Sequence, residues 1–593
     1  MCHSFYFKLV LFFYKMSQRE TSDSEMEYLD PMTCESEFDN DLSSFEDEDD
    51  FDSEKDVSSA SISSLSSFED EDYEPEDDVA SPSSSAEHSD SDDEMEDEDY
   101  REVLSPEKPY PFPFNFQEES GPKHVPPPES PPIAYFYLFF TSTLLSLMVE
   151  ETNRYAQQRI NDMGNNVPSY LKDWTEVSVS EMKGFLACVL NMGLIKKPTI
   201  ASYWSTSSSQ AIPWFGKMFS RHRFSHLLRF FHLVDNTKLP GLGESSYDPC
   251  AKYQPLVDHA NKVFRHHYTP HQEISVDESL VDTKNKTSQM QYLPKKKHNQ
   301  WGIKFWMLCD SVSNYCLGFF TSKRTRSQKE KHSTSESGLG YTAMRILHEI
   351  GMYLNKGYHF FVDRYFTSVP LVRHLYSLQT YITGIVRRNL KMLPQQFKKK
   401  LAVGQTSYFR SGPVLAYGFR QKQSQKNPVF LLSSHAWARD VEVIRNGKAK
   451  LKPEIIQNYN KFMGGFNTSD MVLYTYFDEK KPVKYWKKVA FNIIARMVLN
   501  SYILYKENFK GPGKIKSRYA YQVSIIESLG GEWKATNLTE NDPEEPKGLK
   551  KLPGRKEARC CVCSSVGFRR RSRTVCTHCN KGVHGECFPK HEC

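Results

Sequence analysis

The sequence predicts an α/β core flanked by helices, preceded by an acidic tail and followed by a small metal-binding module. The apolar pattern is helical from Phe136 to about Phe264 and takes on strand character from about residue 272. Seven of the thirteen cysteines lie in the last 34 residues. Because a chain of 593 residues is too long for a single core, we expect several domains.

The N-terminal region is acidic and the rest of the chain is basic. Residues 1–130 hold 39 Asp and Glu against 7 Lys and Arg, and the remaining 463 residues hold 35 against 69. Acidic, serine-rich blocks cannot bury enough apolar surface to fold, so we predict that residues 1–130 are disordered and end in a proline-rich linker, Pro106–Pro132. A basic body behind an acidic tail favours a polyanionic partner, and a basic surface with no specific partner is the alternative.

Helical patterns dominate the first part of the body. A helix is predicted to open near Ser178 and to continue through Phe185–Leu190. A second helix, Arg221–His232, carries basic residues on one face, which suits DNA phosphates; an ordinary solvated face is the alternative. The apolar run Ile133–Val149 is interrupted by Thr and Ser residues, which favours a buried helix over a membrane span, and we expect no membrane partner.

The middle of the chain alternates between strands and helices. Strands followed by a helix and a further strand are typical of an α/β core. Residues 390–455 break this pattern with short strands and a run of lysines, which indicates an insertion. The predicted strands are Glu273–Val281, Trp301–Cys309, Tyr315–Thr321, His359–Val362 and Tyr381–Val386, and the predicted helices are Ser337–Asn355, Tyr459–Tyr476 and Trp486–Glu507.

Two acidic residues and one amide occupy positions typical of a metal-dependent nuclease site. Asp277 lies within the first predicted strand, and Asp363 directly follows the strand His359–Val362. A third motif has Asn467 where an acid is expected, with Asp470 three residues later. Two-metal phosphoryl transfer needs hard oxygen ligands, usually carboxylates, from separate elements of one fold. The sequence therefore predicts such a site with one ligand changed; isolated acids at strand ends are the alternative.

The C-terminal cysteines and histidines form four pairs with the spacing of zinc ligands. Tetrahedral Zn²⁺ takes four ligands, so eight ligands predict two structural ions, and so short a segment needs metal to fold. The four pairs are, in order, Cys560 and Cys563, Cys576 and Cys579, His584 and Cys587, and His591 and Cys593. In an interleaved cross-brace, the first and third pairs hold one ion and the second and fourth pairs hold the other, which leaves Cys561 spare.

A series of motifs resembles the piggyBac-type transposases over about 400 residues, from Phe139 to Glu507, and again in the last 34 residues. The order and spacing of the motifs carry the resemblance. They are Phe139–Phe140, Val149–Tyr155, Trp174, Glu181–Met182, Phe185, Asn191–Gly193, Tyr203–Trp204, Arg223–Phe224, Ser275–Glu278, Gln291–Pro294, Lys297, Trp301–Lys304, Val362–Ser368, Thr383–Gly384, Arg387–Asn389, Tyr459–Asn460, Met463–Gly465, Lys484–Trp486 and Asn500–Tyr502.

The resemblance implies an RNase H-like catalytic core with an inserted domain, a flanking helical domain for dimerisation and DNA binding, and a zinc module. It also implies a homodimer in the nucleus that binds double-stranded DNA. The implied site for Mg²⁺ or Mn²⁺ has Asp277, Asp363 and Asp470 as its acidic ligands: Asp277 and Asp363 match the first two aspartates, Asn467 occupies the position of the third, and Asp470 matches a further acid. The implied boundaries are 1–130 (acidic region), 131–271 and 476–536 (helical domain), 272–389 and 456–475 (catalytic domain), 390–455 (insertion), 537–558 (linker) and 559–593 (zinc module).

Three functions remain open at this point. An amide brings one neutral oxygen to a metal, so Asn467 favours a nuclear, transposase-derived DNA-binding protein with impaired catalysis. An active cut-and-paste transposase that acts at TTAA sites is the alternative. A chromatin adaptor, which would meet chromatin proteins through the acidic tail and the zinc module, is the third.

Overall fold

A computed structural model describes residues 100–591 with gaps. The gaps are 110, 165–170, 172–173, 242–243, 245, 284–288, 293–300, 322–346, 388–389, 391, 399–400, 421–427, 446–447, 478–483, 512–513, 541–547, 555 and 578. At 398, 444–445, 448–450, 464–468 and 537–540 the backbone alone is described. Residues 1–99 and Cys593 therefore lie outside the described residues.

The described helices cover most of the predicted helical regions. Of the predicted helix Ser337–Asn355, residues 337–346 lie outside the described residues, and the helix Val369–Ser377 was not predicted from the sequence. Side-chain caps fix several helix starts: Thr141, Ser178 and Ser220 each accept a hydrogen bond from a backbone N–H in the first turn. The helices are α1 (Pro132–Phe139), α2 (Ser142–Asp162), α3 (Val179–Leu194), α4 (Pro213–Met218), α5 (Arg221–Phe230), α6 (Gln254–His267), α7 (Val369–Ser377), α8 (Glu454–Thr475), α9 (Tyr485–Asn508), α10 (Arg518–Glu540) and α11 (Cys561–Ser565).

In the part of the chain that the structure describes, ten strands form one mixed sheet in the order β1-β10-β11-β12-β9-β8-β4-β6-β5, with β7 also paired to β6. The pairs β4–β8 and β8–β9 are parallel, and the other pairs of this sheet are antiparallel. The strands are β1 (Arg101–Glu102), β2 (Gly121–Pro122), β3 (Tyr268–Thr269), β4 (Glu273–Asp282), β5 (Met290–Tyr292), β6 (Trp301–Asp310), β7 (Cys316–Thr321), β8 (His359–Val362), β9 (Tyr381–Val386), β10 (Thr406–Ser411), β11 (Val414–Phe419), β12 (Val429–Ser433), β13 (Asp440–Arg445), β14 (Lys448–Pro453), β15 (Leu549–Lys551), β16 (Ala558–Arg559), β17 (Arg571–Ser572) and β18 (Thr574–Cys576).

Helix α9 is buried along most of its length and fastens the helical region to the sheet. The amide of Asn500 pairs in both directions with the backbone of Cys316 on β7, at 3.0 and 2.8 Å. The predicted buried helix Ile133–Val149 corresponds to α1 and the start of α2, which turn by 62° against each other. Among the described residues no single helix has the length and apolar character to cross a membrane, although this bent pair meets both criteria together.

Within the predicted insertion, residues 390–455, most of the described strands do not form a separate sheet. Its strands β10, β11 and β12 continue the main sheet, because Phe430–Ser433 of β12 pair with Thr383–Val386 of β9. Only the hairpin β13–β14 pairs within itself, and it leads directly into α8. Strands β10, β11 and β12 contain enough branched and aromatic residues to extend the edge of an existing sheet. The break in the sequence pattern gave no sign that these strands would pair with the main sheet.

The segment from Tyr100 to Ser130, which we expected to be disordered, is packed along the sheet in the structure. Between residues 111 and 120 the side chains alternate between exposed and half-buried, as in an extended strand. Phe112 stacks on Trp437 with ring centroids 4.6 Å apart, and the backbone of Phe114 exchanges two hydrogen bonds with the hydroxyl of Tyr381. The aromatic side chains give this proline-rich segment the apolar area that the acidic blocks lack.

The linker predicted over residues 537–558 is shorter in the structure. Helix α10 continues to Glu540, and Leu549–Lys551 pairs with Thr574–Cys576 of the C-terminal module. A further strand, Ala558–Arg559, pairs with Arg571–Ser572. The module therefore includes residues from about 548 onward, because its small sheets need partners from the charged segment before the first cysteine.

Candidate active site and metal centre

Asp277 and Asp363 lie side by side at one edge of the parallel strands. Val276 of β4 pairs with Val362 of β8, so the two aspartates follow at the same level on adjacent strands. Both are half-buried, and the backbone N–H of Glu278 donates to Asp277 Oδ1 at 2.7 Å. Two carboxylates placed in this way can hold a divalent cation between them.

Asp470 is engaged by a buried arginine. Its Oδ1 accepts a hydrogen bond from Arg496 Nη2 at 3.0 Å, and its Oδ2 accepts one from the Ser279 hydroxyl, also at 3.0 Å. The Arg496 side chain is only 3% exposed, whereas that of Asp470 is 15% exposed. Burial lowers the pKa of Arg496, but the attraction of Asp470, Cys316 and Tyr474 together outweighs it, so the net pKa is raised. Asp470 is therefore the counter-ion of Arg496.

Asn467 lies on α8, one turn before Asp470, and its side chain is outside the described residues. The hydrogen bond from Ser279 to Asp470 fixes this part of α8 against β4, two residues beyond Asp277. The structure thus brings the strands of the first two acids and the helix of the third position together. Within the described part of the chain, no three carboxylates approach within 4.8 Å of one another.

A charged and aromatic cluster lies beside the acids. Glu278 pairs with Lys304 at 2.5 Å, and the ammonium group of Lys304 lies 3.9 Å from the ring centroid of Trp306. Trp306 in turn stacks on Tyr365, with centroids 5.0 Å apart. Because successive residues of a strand face opposite sides of a sheet, Glu278 faces away from Asp277 and is not a further ligand beside it.

Sequence reasoning missed Arg496 and Lys304. Arg496 was detectable, because it interrupts an apolar helix between Ile494 and Val498, and charged residues in such positions are almost always paired. Its partner was not detectable, since the contact joins α9 to α8 through packing that the sequence does not encode locally. Lys304 appeared only as the last residue of the motif Trp301–Lys304, and nothing in the sequence indicated its pairing with Glu278.

The C-terminal module brings the predicted metal ligands into two clusters. Cys560, Cys563, His584 and Cys587 place one ligand atom each within 4.8 Å of the others. Cys576, Cys579 and His591 form the second cluster, and Cys593, the predicted fourth ligand, lies outside the described residues. The grouping is that of an interleaved cross-brace.

The first cluster has the dimensions of a tetrahedral zinc site. Zn–S bonds of about 2.3 Å place two sulfur ligands about 3.8 Å apart in a tetrahedron. The Cys563 and Cys587 sulfurs are 3.7 Å apart, and Cys563 Sγ lies 3.4 Å from His584 Nδ1. The residues therefore fit a structural Zn²⁺ ion.

The two histidines of these clusters, His584 and His591, each have a partner on the second ring nitrogen as well. His584 Nε2 lies 2.9 Å from the carbonyl oxygen of Arg571 while its Nδ1 faces the thiols. His591 is turned the other way: its Nε2 is 3.1 Å from Cys579 Sγ and its Nδ1 is 3.4 Å from Cys561 Sγ. Such partners fix the ring orientation of metal-bound histidines. Cys561, which the sequence left spare, contacts a ligand although it is not in the ligand set.

The basic helix α5 is partly structural. Arg223 makes a bidentate pair with Glu181, with both N–O distances 2.6 Å, and stacks on Trp174. Lys487 donates to the carbonyls of Leu228 and Arg229 and so satisfies the C-terminal end of the helix. The exposed residues at the start of α5 take no part in these contacts, so they are the part of the predicted basic face that can meet phosphates.

Comparison with known proteins identifies the family. The family model described as transposase IS4 matches residues 131–502. Human PiggyBac transposable element-derived protein 2 is 24% identical over 394 residues, which cover 64% of this chain and 62% of the relative, so the match spans less than two thirds of that protein. Human PiggyBac transposable element-derived protein 3 is 23% identical over 474 residues, 77% of this chain and 73% of the relative.

A solved structure has the same fold. The cryo-EM structure of a piggyBac transposase synaptic complex with hairpin DNA superposes with a TM-score of 0.63 and 21% identity, over 79% of this chain and 98% of that chain. Human PiggyBac transposable element-derived protein 5 is 22% identical over 448 residues, 71% of this chain and 79% of the relative. The chain therefore belongs to the transposase IS4 family and is a piggyBac-type, transposase-derived protein.

Proposed function

We propose that this protein is a nuclear DNA-binding protein in which the strand-cleavage chemistry of a transposase is impaired. The observation that carries the proposal is the state of the third and fourth acidic positions. Position 467 is an asparagine, and both oxygens of Asp470 are engaged by Arg496 and Ser279. Two carboxylates, Asp277 and Asp363, are left for a site that in this family would hold two divalent ions.

The effect on chemistry follows from charge and geometry. A site that holds two Mg²⁺ ions neutralises four positive charges, and the loss of one carboxylate weakens metal binding and the alignment of in-line attack. A deficit of about 3–5 kcal/mol in transition-state stabilisation slows the reaction by roughly a hundredfold to several thousandfold. Mg²⁺ or Mn²⁺ bound by Asp277 and Asp363 would supply Lewis-acid activation of a phosphate oxygen.

Binding to DNA is supported by charge and by the structural relative. Residues 100–593 hold 72 Lys and Arg against 40 Asp and Glu, whereas residues 1–99 hold 4 against 34. The solved relative is a complex with hairpin DNA. In this proposal the basic body contacts phosphates, homodimers hold two DNA ends, and two structural Zn²⁺ ions hold the C-terminal module.

The test measures binding and cleavage on the same protein. Wild type and Asp277→Ala are incubated with TTAA-flanked transposon-end duplexes and Mg²⁺, and bound DNA and nicked strands are measured separately. We expect both proteins to bind with a steep dependence on salt concentration, and wild type to nick no faster than about a hundredth of the rate of an active transposase. Efficient, Asp277-dependent excision would identify an active cut-and-paste transposase instead, and absence of DNA binding would reject the proposal.

A further inference from the structure

Strands β4, β6 and β5 extend past the end of the parallel strands as an arm. Strand β8 stops at Val362, level with Val276, whereas β4 continues to Asp282. Opposite this extension, β6 starts at Trp301, and the short edge strand β5 pairs only with that part of β6. We call residues 277–282, 290–292 and 301–306 the arm.

The arm reaches beyond the level of the two aspartates. Asp277 is paired with Met307 on β6, and Trp301 is six residues from Met307. At about 3.3 Å per residue, Trp301 is about 20 Å along the strand from the acidic edge. This length matches about six base pairs of duplex DNA. A duplex held at Asp277 and Asp363 and running along β6 would therefore meet the end of the arm.

Two aromatic side chains lie exposed at that end. Tyr292 and Trp301 are directly opposite each other in the β5–β6 pair, with ring centroids 4.8 Å apart. They are 47% and 49% exposed, although Trp and Tyr bury large areas when they serve a core. The eight residues between them in the sequence lie outside the described residues and include three consecutive lysines, Lys295, Lys296 and Lys297. An exposed aromatic pair joined in sequence by a run of lysines has the chemistry that binds single-stranded nucleic acid.

We propose that Tyr292 and Trp301 form a stacking platform for unpaired bases of DNA bound at the Asp277–Asp363 edge. The π-faces would receive bases that have left the helix, and stacking on an aromatic side chain contributes about 1–3 kcal/mol per base. The platform rests on the proposed DNA-binding function and adds to it a preference for distorted or partly unpaired duplexes. Such a preference does not require catalysis, so it holds whether or not the metal site is active.

A purely structural role for the pair makes a different prediction. Cross-strand aromatic pairs stabilise hairpins by about 0.2–1 kcal/mol, and in that case the substitution of either ring would change stability without regard to the form of the DNA. The two roles are therefore separated by comparing DNA forms on the same protein variant.

The experiment uses the full chain and two duplexes of the same length, one fully paired and one with a short central run of mismatched bases. We expect wild type to bind the mismatched duplex about tenfold more tightly. Trp301→Ala should lose this preference while keeping its affinity for the paired duplex, and Trp301→Phe should retain most of it. A 2-aminopurine placed in the mismatched run should be quenched by wild type and not by Trp301→Ala.

The outcomes distinguish this proposal from the one on which it rests. If wild type binds neither duplex, the proposed function fails. If wild type binds both equally, or if Trp301→Ala weakens both by the same factor, the platform is rejected while DNA binding stands. If Trp301→Ala does not fold, wild type is compared with Tyr292→Leu instead, and the 2-aminopurine signal is measured on wild type. Absence of quenching by folded wild type overturns the proposal.

Discussion

Substitution of Asp470 by asparagine should destabilise the fold by about 3–5 kcal/mol, which is the cost of leaving a buried charge without its partner. Arg496 is 3% exposed, and its Nη1 has no hydrogen-bond partner among the described residues, so no second acid there can take over from Asp470. Asparagine has the same shape, so it leaves the packing around Ser279 intact. The change is therefore one of charge, and it acts on stability rather than on metal binding.

The measurement is thermal unfolding of the full chain with and without Mg²⁺. For a folded body the size of residues 131–536, the expected loss lowers the Tm by roughly 3–6 °C. Asp363→Asn is the matched control, because Asp363 is half-buried and its substitution also removes one carboxylate from the same region. We expect Asp363→Asn to lose the stabilisation by Mg²⁺ and to keep nearly the same Tm without the metal.

The opposite pattern would refute this role of Asp470. If Asp470 serves as a metal ligand, its replacement relieves repulsion between carboxylates, so the metal-free protein should keep or raise its Tm and lose the Mg²⁺ response. A double variant, Asp470→Leu with Arg496→Met, adds a further check: an apolar pair should recover much of the stability that either single change loses.

Three further predictions concern other parts of the chain. Cys561→Ala should retain zinc in both clusters but weaken the cluster that contains His591 by about tenfold in a chelator competition, and an unchanged affinity would contradict the role of Cys561 as its partner. The hydrogen bond with Asp310 raises the pKa of His271; the pKa of Asp310 is lowered because hydrogen bonds from His271 and Ser313 outweigh burial. The ion pair of His271 and Asp310 therefore stabilises the fold between about pH 4 and about pH 6.5, and this stabilisation is lost as the pH rises further. His271→Ala should accordingly lower the Tm more at pH 6 than at pH 9. Deletion of residues 1–99, which keeps the packed segment, should tighten DNA binding at low salt, since the acidic tail competes for the same basic surface; equal affinities would reject that competition.

The sequence predicted the strands of the core closely and the course of the N-terminal segment poorly. The strands His359–Val362 and Tyr381–Val386 have the predicted bounds, because short apolar runs between turn residues favour buried strands. The segment 100–130 was assigned by its prolines and acids, although its alternating Phe112, Phe114 and Phe116 were a signal of an extended strand with one buried face.

Contacts between residues far apart in the sequence could not be predicted from the sequence either. Asp277 was recognised from its place within a predicted strand and Asp363 from its place directly after one, and the parallel pairing of β4 with β8 puts them at one level. The engagement of Asp470 by Arg496 depends on how α8 and α9 pack on the sheet, and no local pattern encodes that contact. The ligand role of the acids stays a prediction, as do nuclear localisation and the homodimer.

The central claim is that a missing third carboxylate limits the chemistry of this protein, and the direct test is the Asn467→Asp variant. Mg²⁺-dependent nicking of a TTAA-flanked transposon end is measured for wild type, for Asn467→Asp, and for Asn467→Asp combined with Asp277→Ala or Asp363→Ala. We expect Asn467→Asp to nick at least about tenfold faster than wild type and each double variant to be inactive. If wild type already nicks as fast as Asn467→Asp, the site is complete without a carboxylate at position 467, and the protein is a working transposase.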